Sequence, residues 1–214
     1  LSSTLWVLNP NTTLAMTDAV VAQVRARVPS GVEVRGVTAV HGAAVIDSRA
    51  SFAAAADALP ALVAQHRPQG DGLLLACFGD PGLEALRRSV APQPVAGLAE
   101  AAVAFAVASG RRFAILTAGP AWVSLLTERV ADFGAAAALT GVHALPVNGR
   151  ELAAEPELFR GLLCDAARVA EHEGAQALIL GGAAFAGLAG LIETSLPVID
   201  AIDAATDSLV LQMR

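Results

Sequence analysis

The chain has 214 residues, 55% hydrophobic and 16% charged, enough apolar material to bury a core in one or two compact domains and too much for intrinsic disorder. A formal net charge of -6, with no dense basic run, argues against nucleic-acid binding, which draws on clustered positive charge; an anionic small molecule can still bind locally. All fourteen basic residues are arginine and tyrosine is absent, which excludes a Schiff-base lysine, a P-loop phosphate lysine and a phenolic proton donor.

In chain order, residues 4–8 read as a buried strand, and Asn9-Pro10-Asn11-Thr12 turns into a helix. Thr12 or Asn11 is placed to cap that helix, and Leu14, Val21, Val24 and Val28 share one of its faces. A strand is expected over Val32–Thr38 and another over 72–77. The second leads into Phe78-Gly79-Asp80-Pro81-Gly82 and a helix spaced by Leu83, Leu86 and Val90. A short strand follows at 94–96, then a longer one at 112–117, ending in Thr117-Ala118-Gly119-Pro120. Trp122, Leu125, Leu126 and Val130 mark the next helix, 142–147 the next strand, and Phe159, Leu162, Leu163, Ala166 and Val169 a further helix. The uncharged stretch 174–192 approaches a membrane span in length. Its glycines at 174, 181, 182, 187 and 190 divide it, and it reads as strand, turn and helix. A last short strand is expected at 197–199. Branched apolar runs alternating with helical patterns specify an α/β fold with mostly parallel sheets, and the apolar stripes read as core.

The two halves repeat. LWVLNPNT, DGLLLACFGDPGLEAL and PQPVAGLAEAAVAF are followed by RFAILTAGPA, AQALILGGAAFAGLAGL and SLPVIDAIDAATDSL, in the same order. The pairing sets Asn9 against Thr117, Cys77 against Gly182 and Pro94 against Pro197, at shifts of 108, 105 and 103. We therefore expect two pseudo-symmetric, Rossmann-like lobes with a site in the cleft where the carboxyl ends of their strands face one another. The first lobe covers 1–97, with 203–214 returning to pack on it; the second covers 98–202.

Cys77 and Cys164 are the only cysteines, too few for a disulfide framework or a cysteine zinc site and typical of a reduced compartment. His41, His66, His143 and His172 lack ligand spacing, so no metal is expected. Without a secretory pattern at the start, the chain is expected in the cytoplasm, with no membrane partner. Cys77 ends a buried strand before a helix start, where free N–H groups and the helix dipole favour thiolate; an inert core cysteine fits the position equally well. Cys164 lies inside a helical stripe and reads as structural. Asn9, at a strand tip, is placed to present its amide to a ligand. Asp80 reads as a turn residue before Pro81, and Asp200 and Asp203 as ordinary strand-end and helix-start acids.

The pieces LNPNT at 8–12, ACFGDPGL at 76–83, PVAGLAEAA at 94–102, GRRFAILT at 110–117, ALPV at 144–147, EGAQALILG at 173–181, AGLA at 186–189 and PVID at 197–200 resemble the aspartate/glutamate racemase superfamily, and within it the hydantoin and allantoin racemases. The resemblance implies a cofactor-free racemase or epimerase in which a cysteine from each lobe flanks the substrate carbon, one thiolate removing the α-proton and the other thiol returning one. The first cysteine carries over to Cys77. The family's Gly-Cys-Ala-Gly turn is here Gly181-Gly182-Ala183-Ala184, so Gly182 stands where the second thiol is expected. The implied site comprises Cys77 and the Gly182 position for catalysis, with Asn9, Phe78, Gly79, Thr117 and Ala183 binding a small hydantoin, allantoin or α-carboxylate. Two further readings remain: a single-cysteine decarboxylase resembling the arylmalonate decarboxylases, and a catalytically degenerate paralogue that binds a small anion. Apolar helix faces such as that around Trp122 are compatible with a homo-oligomer.

Overall fold

The computed structural model describes residues 3–66, 68 and 70–213. Eight strands form: β1 (Ser3–Asn9), β2 (Val32–Thr38), β3 (Gly72–Leu75), β4 (Val95–Gly97), β5 (Phe113–Ala118), β6 (Leu139–Leu145), β7 (Ala177–Leu180) and β8 (Val198–Asp200). They build two four-stranded parallel sheets, ordered β2-β1-β3-β4 and β6-β5-β7-β8. The two orders are the same order, so the sequence repeat is a repeat of topology. The central strands β3, β5 and β7 are buried along their whole length, which is why they read as unbroken apolar runs rather than alternating ones.

Eight α-helices connect the strands: α1 (Leu14–Arg27), α2 (Arg49–His66), α3 (Leu83–Val90), α4 (Leu98–Ala108), α5 (Trp122–Asp132), α6 (Gly149–Ala154), α7 (Arg160–His172) and α8 (Ala201–Gln212). One apolar cluster joins the halves, taking Leu5, Val7 and Leu74 from the first sheet, Ile115 and Ile179 from the second, and the inner faces of α1, α4 and α8. Helix α8 is tied to α1 by Gln23 Nε2, which donates to Asp203 at 2.8 Å, and by Arg27, which pairs with Asp207.

All eight expected strands are present, with β6 starting at Leu139 rather than 142. That edge strand is only half-buried, and Thr140 and Gly141 concealed its start. Several local expectations are corrected. Neither Asn11 nor Thr12 is the cap of α1: the N-cap is Thr13, and the Asn11 side chain instead accepts from Thr13 N at 2.9 Å. Leu14, in the first turn of α1, is 62% exposed. On α7 the buried residues are Leu163, Ala167 and Ala170, while Leu162 and Val169 face out; alanines let the helix approach its sheet closely, and the sequence stripe gave them too little weight. No α-helix follows β7. The stretch instead makes two short 3-10 turns, Ala183–Phe185 and Ala189–Leu191, with Gly187 at φ 75° between them. Glycine both weakens helix and allows this left-handed turn. Among the described residues, no helix is long and apolar enough to cross a membrane.

Candidate active site between the two sheets

The strand ends repeat as closely as the sheets. Ala76 N donates to Leu8 O at 2.8 Å just beyond β3, and Gly181 N donates to Leu116 O at 2.8 Å just beyond β7. Leu73 N donates to Pro94 O at 3.0 Å, and Leu178 N to Pro197 O at 2.9 Å. Each strand is thus held to its neighbours in the same way where it enters the sheet and where it leaves it. Cys77 and Gly182 are each the second residue past their strand, so the two positions paired in the sequence are equivalent in space.

Both line one cavity of about 60 Å³ between the halves, room for a few waters on a scale of roughly 10–15 Å³ per water. Phe78, Thr117 and Ala183 also line it, whereas Asn9 and Gly79 lie outside its lining. Sequence reading did not single out Asn11, Val45, Ile46, Gly149 or Phe185 for this cavity. Val45 and Ile46 come from the loop after β2, which carries no periodicity. Asn11 sits in the Asn-Pro-Asn run that pointed to Asn9. Among the described residues, none that lines the cavity has a charged side chain. Among the described residues, no cluster of three or more His, Cys, Asp or Glu is arranged to hold a metal ion.

The family model described as Asp/Glu/Hydantoin racemase matches residues 5–209. The chain belongs to the Asp/Glu/hydantoin racemase family. The hydantoin racemase of Rhizobium meliloti is 32% identical over 203 residues, covering 93% of this chain and 84% of that protein. Among solved structures, the allantoin racemase from Pseudomonas fluorescens superposes with a TM-score of 0.89 at 27% identity, covering 96% of this chain and 88% of that one. The allantoin racemase from Klebsiella pneumoniae gives 0.86 at 32% identity, covering 97% and 86%.

Within this racemase-family fold, the environment of Cys77 corrects one sequence expectation. Cys77 is 7% exposed, and helix α3 begins only at Leu83, with Gly82 as its N-cap. The helix dipole fades within about a turn, so it does not favour the thiolate here. Burial dominates and pushes the Cys77 thiol well above the ordinary cysteine range, with the negative charge of Asp80 adding to it. The sulfur has only a weak contact, donating to Phe78 O at 3.8 Å. Cys164 lies on α7, outside the cavity lining, with its sulfur 3.7 Å from Leu191 O.

Asn9 works inside its own loop rather than at the cavity surface. Its amide nitrogen donates to Asn11 Oδ1 at 3.0 Å and Thr17 Oγ1 at 3.0 Å, and its oxygen accepts from Asn11 N at 3.0 Å. The amide expected to meet a ligand is committed to holding Asn11 in place, and Asn11 lines the cavity. Thr117, the counterpart of Asn9, does line it, with its hydroxyl donating to Gly181 O at 3.1 Å. Gly79 O accepts from Arg129 Nε at 3.0 Å, tying the Cys77 turn to α5. Phe52 of α2 and Trp122 of α5 meet edge to face across the halves, centroids 6.0 Å apart.

Asp80 is more than a turn residue. It is 2% exposed, has φ 56°, and accepts from Ala99 N at 3.1 Å and Glu100 N at 2.7 Å at the start of α4. Burial pushes its carboxyl up to about 7, against the pull of those two N–H donors. Asp200 caps α8, accepting from Ile202 N at 2.8 Å, as its strand-end position predicts.

Proposed function

We propose that the protein is a cofactor-independent racemase of neutral 5-substituted hydantoins, with Cys77 moving the proton at C5. The observation that carries this reading is the uncharged lining of the cavity that holds Cys77 and the Gly182 position. A dicarboxylate or malonate entering that space would lose its hydration without gaining a cationic side chain, at a cost of several kcal/mol. A hydantoin is uncharged and planar, and its two carbonyls and two N–H groups match an amide, a hydroxyl and backbone groups, which is what Asn11, Thr117 and the strand-end turns supply. The hydantoin racemase and allantoin racemase relatives act on rings of this kind, which supports the same class for this chain.

The chemistry balances with one thiol. Cys77 as thiolate takes the C5 proton, the C–H electron pair passes into the ring as an enolate, and the sulfur becomes a neutral thiol. A buried thiolate of raised pKa is a stronger base than an exposed one, which suits a weakly acidic C–H, although less of it is present. Return of the proton from Cys77 regenerates the starting enantiomer. Protonation from water at the Gly182 face gives the other, and the hydroxide so formed takes the proton from the Cys77 thiol, which restores the thiolate.

The test is proton NMR of an enantiopure 5-alkylhydantoin with the enzyme in deuterated water, with chirality followed in the same tube and a Cys77→Ala variant alongside. C5 exchange accompanied by racemisation, both lost in the variant, is the expected result. Exchange no faster than in the variant would sink the reading and leave binding without turnover, or a carboxylated substrate, to be tried next.

A further inference from the structure

The two halves cap their last helices differently. In the second half Asp200 ends β8 and caps α8 from within, its carboxylate accepting from Ile202 N and Asp203 N, the second and third helical residues. In the first half the equivalent position is Gly97, and the carboxylate on the second and third N–H groups of α4 comes from Asp80, in the turn after Cys77. Gly97 makes this exchange possible: a Cβ there would stand 2.4 Å from Asp80 Cγ. Asp80 also adopts a left-handed backbone conformation, which costs most residues but is tolerated best by Asn and Asp.

A cap supplied from within would satisfy the same N–H groups without burying an acid beside the cysteine. We infer that Asp80, whose N–H donates to Cys77 O at 3.1 Å, is a positioning residue: it clamps the Cys77 turn to α4, and its negative charge keeps Cys77 resting as the thiol, so that the thiolate that takes the C5 proton is a minor and strongly basic form. The repulsion between a thiolate at 77 and the carboxylate at 80 supplies the bias, and burial of both groups strengthens it by excluding water. The charged groups facing Asp80 are Glu100 on α4, which opposes its ionisation, and Arg129 on α5, which favours it. Glu100 is itself paired with Arg87 of α3. This inference rests on the racemase reading for its role in catalysis, but its test does not use turnover.

The test is the rate of iodoacetamide alkylation of Cys77, followed by mass spectrometry from pH 5 to 9, with Cys164 as internal reference. In the wild-type protein log rate should rise with pH, flatten near pH 7 as Asp80 ionises, then rise again. Asp80→Asn keeps the left-handed preference and one acceptor oxygen but not the charge. Its profile should lose the flattening, match the wild type near pH 5 and exceed it on the order of tenfold at pH 9, with Cys164 unchanged. Arg129→Gln, which keeps the Asp80 carboxylate but removes the facing cation together with the bond to Gly79 O, should move the flattening to higher pH and covers the case in which Asp80→Asn does not fold. A wild-type profile without flattening would overturn the inference, as would an Asn variant faster by the same factor at every pH, which signals loosening alone. Failure of hydantoin exchange would remove the racemase reading and leave the alkylation profile to decide Asp80 separately.

Discussion

The ring of Phe78 occupies the space that a side chain at Gly181 would need: a Cβ built there stands 2.8 Å from Phe78 Cε1 and 2.8 Å from Ile115 Cγ2. Phe78 follows Cys77 in the first half and Gly181 precedes Gly182 in the second, so this contact between halves brings the two equivalent strand ends to one cavity. Gly181→Ala therefore forces the halves apart at the cavity they share. Overpacking of this kind costs about 1–3 kcal/mol. The expected outcome is a lower melting temperature together with a loss of C5 exchange larger than the fraction unfolded explains. A variant that is destabilised but exchanges normally per folded molecule would show that the closure does not align the site.

The two cysteines should separate cleanly. Cys77→Ala removes a buried sulfur at a cost of about 1 kcal/mol or less, and should abolish exchange while circular dichroism and melting stay near wild type. Cys164→Ala should leave exchange intact, since Cys164 lies on α7 outside the cavity lining. Exchange surviving in the first variant, or lost in the second, would reassign the acid-base group.

The contrast between Cys77 and Asn9 shows what was legible in the sequence. Strands, topology and the Cys77–Gly182 pairing are carried by local pattern, because buried parallel strands are continuous apolar runs and a repeat in sequence places equivalent positions at equivalent strand ends. Side-chain direction is not local. The amide of Asn9 is absorbed by Asn11 and Thr17 across a turn and a helix, and the capping role of Asp80 depends on α4, whose N–H groups lie 19 and 20 residues away. Of the two readings offered for Cys77, activation by the helix start did not hold, for the same reason: proximity to a helix start is readable from spacing, whereas burial is set by both halves together. Helix α2 was not singled out although its buried residues Ala55, Leu59 and Leu62 follow helical spacing, because in an alanine-rich run little contrast marks the buried face.

Asp80 also sets a pH dependence of stability. Its carboxyl is raised in the folded protein from 3.8 to about 7, chiefly by burial, so between about pH 4 and 7 the folded state holds a proton that the unfolded chain has released. Stability from this group is then present below pH 4 and is lost as pH rises through 7, by at most about 4 kcal/mol for a shift of that size. Urea denaturation at pH 5 and pH 8 should show the wild type more stable at pH 5 than its other groups predict. Asp80→Asn should narrow that difference; an unchanged difference would mean that Asp80 is already ionised at pH 5.

Placing a thiol opposite Cys77 tests the pseudo-symmetry directly. Space is available at Gly182, where a Cβ would meet Phe185 at 3.5 Å and Ala184 N at 3.9 Å, both ordinary contacts. The backbone is less permissive: φ 156° and ψ 152° fall where residues other than glycine are rarely found, at a cost of order 1–3 kcal/mol. Gly182→Cys should therefore lower the melting temperature and at the same time raise the rate of racemisation relative to C5 exchange, because on the proposed mechanism a second donor then faces the enolate in place of water alone. The wild-type ratio should lie below that of the variant, with exchange outpacing inversion. Equal rates of exchange and inversion in the wild type, unchanged by the added thiol, would mean that a donor other than bulk water already serves the Gly182 face, and Asn11 and Thr117, the polar side chains lining the cavity, would be the first groups to replace.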